Sequence, residues 1–246
     1  MIRSKRGLIT IGTFVLILGL IVLMPARVAV HWLAPADIAI SGIHGTAWRG
    51  GANEVSVYGV YLRHTKWRLS PLRLLTGKLS YRIETTPVAG FIESDIDIGF
   101  GGTMSLSNLT AALPLEMFAG ATGISGLQGS ASLNFKRVVI VNGFATAADG
   151  VIQVAGLVVP LVGHDSLGGY EAEFFTQNNG IAASIKDTDG VVDLAGTLQI
   201  KTDRSFAFLG QVVVKPETPQ SVRRQLQFLP PPNERGQQEL RLEGIL

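Results

Sequence analysis

The sequence predicts a mainly β protein: a long, curved antiparallel meander with few short helices, preceded by one N-terminal transmembrane helix. Three observations carry this reading. Residues 7–24 form an uncharged apolar run, later stretches alternate apolar and polar residues with period two, and turn-forming glycine pairs separate those stretches.

The run reads GLITIGTFVLILGLIVLM from Gly7 to Met24, close to the ~20 residues that cross a bilayer core as a helix. Arg3, Lys5 and Arg6 precede it and only Arg27 closely follows. That bias holds the N-terminus in the cytoplasm and exports the chain beyond Pro25. Residues 1–6 are then a cytoplasmic tail, 7–24 a signal anchor, 25–36 a linker with Trp32 at the outer interface, and 37–246 a β-rich periplasmic domain. The expected location is the inner membrane of a Gram-negative cell. A cleaved signal peptide is the competing reading, since Ala34-Pro35-Ala36 resembles a cleavage site. The run exceeds the ~7–15 residues of a signal core, however, and that site lies well past its end.

Composition narrows the function. With 246 residues and 46% hydrophobic content, the chain can build a normal core. Cysteine is absent, which excludes disulfides, thiolate metal sites and a cysteine nucleophile. The formal charge of +2 comes from the basic tail, and no basic stripe with interleaved aromatics lies beyond it. Nucleic acid is therefore not an expected partner.

After Asp37 the period is two. From Phe91 to Phe100, Ile92, Ile96, Ile98 and Phe100 share one face, and Glu93, Asp95 and Asp97 the other. The same alternation sets Ala131, Leu133 and Phe135 against Ser132, Asn134 and Lys136. It sets Tyr170, Ala172 and Phe174 against Glu171 and Glu173, and Leu240 and Leu242 against Glu239, Arg241 and Glu243. Turns are expected at Gly101-Gly102, Asn142-Gly143, Asp149-Gly150, Gly168-Gly169, Asn179-Gly180 and Asp189-Gly190. Ser70-Pro71 opens a short helix that Gly77 closes. Thr218-Pro219 opens a longer one, with Val222, Leu226 and Leu229 at helical spacing, until Pro230-Pro231-Pro232 stops it. The heptad from Ser41 to Ala47 resembles that from Ser125 to Ala131, and the pair could mark a duplicated β unit.

Catalytic patterns are missing. His31, His44, His64 and His164 are scattered without metal-ligand spacing. His164-Asp165-Ser166 holds three triad residue types, but triad members meet from separate chain positions, and this run suits a turn cap. Asp95 with Asp97, Glu171 with Glu173, and Asp187 with Asp189 share strand faces expected to be solvated. No glycine loop fits a phosphate or dinucleotide site. No enzyme activity, metal or cofactor is expected.

Two segments carry a family resemblance. The first combines Gly42, Gly45, Trp48 and Gly50, in a G-x-x-G-x-x-W-x-G arrangement, with Trp67, Pro71 and Gly77 in the next stretch of chain. The second is the C-terminal helix, its proline break and the final strand ending at Leu246. In this order, behind a single anchor, they resemble the type II secretion system protein N family over essentially the whole chain. The resemblance implies an accessory inner-membrane component of the apparatus that exports folded periplasmic proteins across the outer membrane. Its partners would be the inner-membrane platform or the secretin, reached through protein contacts such as strand-edge pairing. Related patterns occur in AsmA-like and lipopolysaccharide-export proteins, which makes a lipid-binding β-groove the alternative. The motif residues have structural roles on this reading: Trp48 and Trp67 bury as anchors, and Gly45 and Gly50 permit bends or close backbone approach.

Overall fold

The computed structural model describes residues 2–33, 38–57, 60–74, 78–87, 89–99 and 102–246, without the side chains of 2–6, 8, 32, 33, 57, 72, 74 and 121. Two helices, α1 (Ile2–Val22) and α2 (Ala26–Leu33), lead into β1 (Ile38–Ser41), β2 (His44–Gly45), β3 (Arg49–Val57) and β4 (Val60–Leu69). After α3 (Pro71–Leu74) come β5 (Leu79–Thr85), β6 (Phe91–Ile98) and β7 (Thr103–Pro114). A 3₁₀ turn (Leu115–Phe118) and α4 (Ala119–Thr122) come next, then β8 (Gln128–Val141), β9 (Phe144–Val158), β10 (Tyr170–Gln177), β11 (Gly180–Asp187), β12 (Val192–Lys201) and β13 (Ser205–Val214). The chain ends with α5 (Gln220–Leu226) and β14 (Gln237–Ile245).

The strands form one antiparallel sheet in the order β1-β3-β4-β5-β6-β7-β8-β9-β10-β11-β12-β13-β14, with β2 pairing β3 off this path. The meander expected from the turn signals is therefore continuous. Antiparallel neighbours place directly opposed residues on the same face, so the register assigns every strand to two sides. Ile96 faces Leu106, Leu106 faces Val138, Leu133 faces Ile152, and Ile152 faces Ala172. Farther along, Ala183 faces Leu198, Leu198 faces Phe208, and Phe208 faces Leu242. The four alternating stretches thus put their apolar residues on one common face spanning β6 to β14; Phe100 lies outside the described residues. The opposite face carries Asp95, Asn134, Glu171, Lys186 and Arg241.

Turn chemistry decides some corners as expected. Asn142 and Gly143 have φ of 51° and 76° and close the two-residue hairpin between β8 and β9, the primed geometry that matches strand twist. Asp149-Gly150 is a correction: it lies inside β9 and makes no turn. Gly150 is opposed by Phe135 on one side and Phe174 on the other, and their rings meet over it with centroids 5.6 Å apart. A Cβ there would stand 2.7 Å from Phe135 Cδ1 and 2.4 Å from the Asn134 carbonyl oxygen. The glycine is a slot for two rings. Phe208 similarly lies against Gly196 and Gly210, and Phe206 against Gly244.

The helices differ more from expectation. α5 covers Gln220–Leu226, starts without a side-chain cap and ends before the prolines. Thr218 Oγ1 instead donates to the Val191 carbonyl at 2.6 Å. The Leu115–Thr122 segment is helical without any helical period in the sequence, because two four-residue pieces are too short to show one. Residues 26–33, within the segment read as linker, form α2. Among the described residues no helix is long and apolar enough to cross a membrane. In the two matching heptads the glycines coincide in backbone: Gly42, Gly45, Gly126 and Gly129 all have positive φ. The likeness does not extend to the strands, since β8 and β9 have 14 and 15 residues where β3 and β4 have 9 and 10.

Among the described residues no second sheet lies over the apolar face, so the sheet covers itself by bending. Its register shifts at Glu93/Asp95 and at three points between β8 and β9, irregularities that increase twist and curvature. Two strands once removed lie about 10 Å apart in a flat sheet, yet β9 and β11 approach each other across the end of β10. There Phe135, Ala148 and Ile181 form a buried cluster joined by Leu109, Phe174 and Ile200, so six successive strands share one core. The Leu115–Thr122 segment adds Leu115 and Phe118 over Ala131. At the other end Val222 and Leu226 of α5 close over Val192 and Val212. Replacing Phe135 by alanine removes the largest side chain of the central cluster and exposes the Gly150 slot. It should destabilise the sheet by about 3–5 kcal/mol in denaturant unfolding, and a loss below about 1 kcal/mol would mean that the roll has no such core.

Candidate functional site

The family-like motif forms the joint between the apolar N-terminal helix and the sheet. At the end of α1 the Trp48 indole N–H donates to the Ile21 carbonyl at 2.9 Å, an acceptor at the C-terminal end of a helix that has no intrahelical amide four residues on. Ala47 N–H donates to the Met24 carbonyl at 2.9 Å, and Pro25 makes an antiparallel bridge with Thr46. The helix therefore enters the sheet as a short strand pairing. Ala26 and Ala29, one helical turn apart on α2, are both buried, small side chains that allow close packing beside β2.

The second tryptophan locks the same corner from β4. Trp67 opposes Gly50, and its indole N–H donates to the Thr46 carbonyl at 3.2 Å. Leu69 N–H donates to the Trp48 carbonyl at 2.7 Å. A Cβ on Gly50 would stand 2.6 Å from the His44 carbonyl oxygen and 2.7 Å from Trp67 Cζ2, so the ring occupies the space a side chain would take. Gly45 has φ of +83°, and a Cβ there would lie 2.6 Å from the Arg49 carbonyl oxygen, so the tight β2–β3 turn admits glycine alone without strain. Gly42, with φ of +65°, packs its backbone against the Asn53 side chain.

Five of the seven motif residues thus converge on one corner. Pro71 begins α3 just beyond β4 and is exposed, while Gly77 lies outside the described residues, as does the Trp32 side chain. What the motif reading lacked was the other half of the joint. The acceptors are backbone carbonyls of Ile21, Met24 and Thr46, which side-chain type does not signal. The two alanines of α2 were the one visible trace.

The polar face is laced by ion pairs, two between strands and one from α3. Arg82 reaches Asp95 at 3.0 Å, Arg73 reaches Asp97 at 3.1 Å, and Lys186 reaches Glu171 at 2.8 Å; Ser80 also donates to Asp97. Partial burial pushes the Asp95 carboxyl up, but hydrogen bonds from Arg82 and Asn108 outweigh it and hold the group below its ordinary value. Hydrogen bonds from Lys186 and Gln153 lower Glu171. Asp95 and Asp97 share this face as expected, but their side chains are only 14% and 15% exposed and are held by arginines rather than left to water. Asp187 departs from that expectation: it opposes Tyr170 on the apolar side, where it accepts from Lys215 at 2.8 Å and from Leu194 N–H at 3.0 Å. Burial raises its pKa, and those two hydrogen bonds bring it below the ordinary value.

None of these acids lines the widest hollow described beside the central strands. A hollow of about 380 Å³ opens beside β7, β8 and β9, lined by Gly90, Pro114, Ser130, Ser132, Gln153 and their apolar neighbours, without a titratable side chain. Ser166 Oγ accepts from Gly168 N–H at 3.1 Å, the turn-capping bond expected of His164-Asp165-Ser166. Among the described residues no group of three or more His, Asp or Glu is placed to hold a metal ion.

The joint gives a local prediction. Trp48→Phe keeps a ring in the corner and deletes the donor to Ile21, at a cost of about 0.5–1.5 kcal/mol. Exchange of the Ala47 amide should quicken several-fold while the central strands keep their protection. Unchanged Ala47 exchange would show that the indole does not hold the helix.

Comparison with known proteins places this architecture. Type II secretion system protein N of Vibrio cholerae serotype O1 is 27% identical over 252 residues, covering 94% of this chain and 95% of its own. The protein of the same name from Aeromonas hydrophila is 22% identical over 233 residues, covering 92% of each. No solved structure matches the chain. The family model for type II secretion system protein N matches residues 36–241, which spans the sheet from before β1 into β14. The chain belongs to the type II secretion system protein N family and is a type II secretion component.

Proposed function

We propose that this chain is an accessory, non-enzymatic component of the type II secretion system, held in the inner membrane by the apolar run of residues 7–24 with its sheet in the periplasm. It supports export of folded periplasmic proteins across the outer membrane through contacts with other secretion components, the inner-membrane platform or the secretin.

The observation that carries the membrane part is the surface of α1. Phe14, Val15, Leu16, Ile17 and Leu18 are consecutive and each at least 50% exposed, so the helix is bare around a full turn. One face of the sheet could not cover such a helix. Lipid could, at about 1.5–3 kcal/mol for each large apolar side chain removed from water. The apolar run continues to Met24, the three basic residues lie at its start, and the joint hands the chain directly from helix to sheet. That arrangement favours a fixed standoff from the bilayer over a free tether.

Deleting the gene should reduce export of a folded secreted enzyme. The full chain should restore it, and a chain starting after Pro25 behind a cleavable signal should restore it poorly. Wild-type export in the deletion strain would contradict the proposal.

A lipid-binding role is the second reading, favoured by the apolar face itself. Leu198, Phe206 and Phe208 are only half buried there, with no second layer above them among the described residues. Native mass spectrometry of the purified chain should find a bound acyl lipid on that reading. A lipid-free chain that still restores export would exclude it.

A further inference from the structure

The last strand ends the sheet with an edge that fits a second copy of itself. β14 pairs β13 through the whole of Gln237–Ile245, and nothing among the described residues pairs its other side. One bond at the end of the strand fixes which backbone groups point outward. Leu246 N–H donates inward to the Arg204 carbonyl at 2.9 Å, and inward-bonding residues alternate along an antiparallel ladder. Gln238, Leu240, Leu242 and Gly244 therefore bond inward, and Gln237, Glu239, Arg241, Glu243 and Ile245 present N–H and C=O outward. Gln237 confirms the phase: its N–H donates to Asn233 Oδ1 at 3.0 Å and its C=O accepts from Asn233 N–H at 2.9 Å. That turn closes one end of the edge. Glu239, Arg241, Glu243 and Ile245 remain open.

Natural edges are blunted by proline, bulges, short length or charged side chains. This one has a regular nine-residue register without proline or bulge, and its charges, Glu239, Arg241 and Glu243, alternate in sign. Its side chains select the partner. We infer that two copies of this chain join β14 to β14 in antiparallel register about a two-fold axis through Leu242. In that register Glu239 faces Ile245 of the second copy, Arg241 faces Glu243, and Leu242 faces itself. All four open positions are then used on both copies, and each arginine lies opposite a glutamate.

Neighbouring registers fail on the same residues. Centring on Arg241 sets arginine on arginine and Glu239 on Glu243. Centring on Leu240 sets Glu243 against Gln237, whose backbone groups Asn233 already holds, and leaves Ile245 unpaired. The two-fold through Leu242 also covers side chains left bare in one copy, since Leu242 is 52% and Ile245 81% exposed. It makes the apolar faces of the two sheets continuous. Within one copy Arg241 already bonds Glu243 at 2.6 Å, so pairing turns two isolated ion pairs into a four-charge ladder. This interface is separate from the export reading and would stand if that reading failed.

The chain has no cysteine, so one introduced thiol reports the register. Leu242 would sit in a non-hydrogen-bonded pair with its copy, Cα atoms ~4.5 Å apart, within disulfide reach. Full-length Leu242→Cys in membranes should oxidise to a covalent dimer. Leu240→Cys, displaced from its copy by four residues or about 13 Å, should yield at least tenfold less. Adding Arg241→Glu to Leu242→Cys should cut the dimer about tenfold, and adding Glu243→Arg as well should restore it. Should Leu242→Cys fold poorly, co-expressed Arg241→Cys and Glu243→Cys chains should cross-link to each other, and neither to itself. Four results would overturn the inference: no Leu242→Cys dimer in the folded chain, equal yields at 240 and 242, indifference to the charge reversal, or a cross-link to another protein.

Discussion

A sheet of fourteen strands has two faces, and in this chain only one is made of side chains that water tolerates. The other is lined from β6 to β14 with isoleucine, leucine, valine and phenylalanine, and no second sheet among the described residues covers it. Every other feature of the fold answers that constraint. The bulges bend the sheet, glycines let aromatic rings lie flat across it, and two short helical segments close its ends. Where covering stops, side chains such as Leu242 remain in the open.

Glycine and aromatic residues work as one device in two places. In the rolled core, Phe135 and Phe174 meet over Gly150, and Phe208 lies against Gly196 and Gly210. At the entry corner Trp67 fills the space above Gly50 while Trp48 reaches across to the end of α1. In each case a missing Cβ lets a ring approach the backbone, which stiffens a sheet that glycine alone would loosen. At the corner this rigidity fixes the direction in which the helix leaves the sheet.

Period-two alternation made the sheet legible before its register was known. The apolar alternates Ile92, Ile96 and Ile98, Ala131, Leu133 and Phe135, Tyr170, Ala172 and Phe174, and Leu240 and Leu242 fall on one face because the pleat enforces it. Glycine punctuation was legible only in part. Asn142-Gly143 and Asp149-Gly150 look alike along the chain, yet one turns and the other lies flat in β9, because the rings that occupy Gly150 come from β8 and β10. Local chemistry cannot report on rings held by other strands. The motif glycines and tryptophans were visible as a group, whereas their partners, the carbonyls of Ile21, Met24 and Thr46, carry no residue-type signature. Asp187 misled for the same reason: its spacing from Asp189 suggested a solvated pair, and its actual partner is Lys215, brought in by β13.

If the apolar face is one rolled surface, β7 to β12 must be a single cooperative unit even though each hairpin is local in sequence. Amide hydrogen exchange across a denaturant series tests this most directly. The strands bearing Leu109, Phe135 and Ile181 should lose protection together, at one denaturant concentration and with one free energy. Loss hairpin by hairpin, each with its own stability, would contradict a shared core and the curvature built on it.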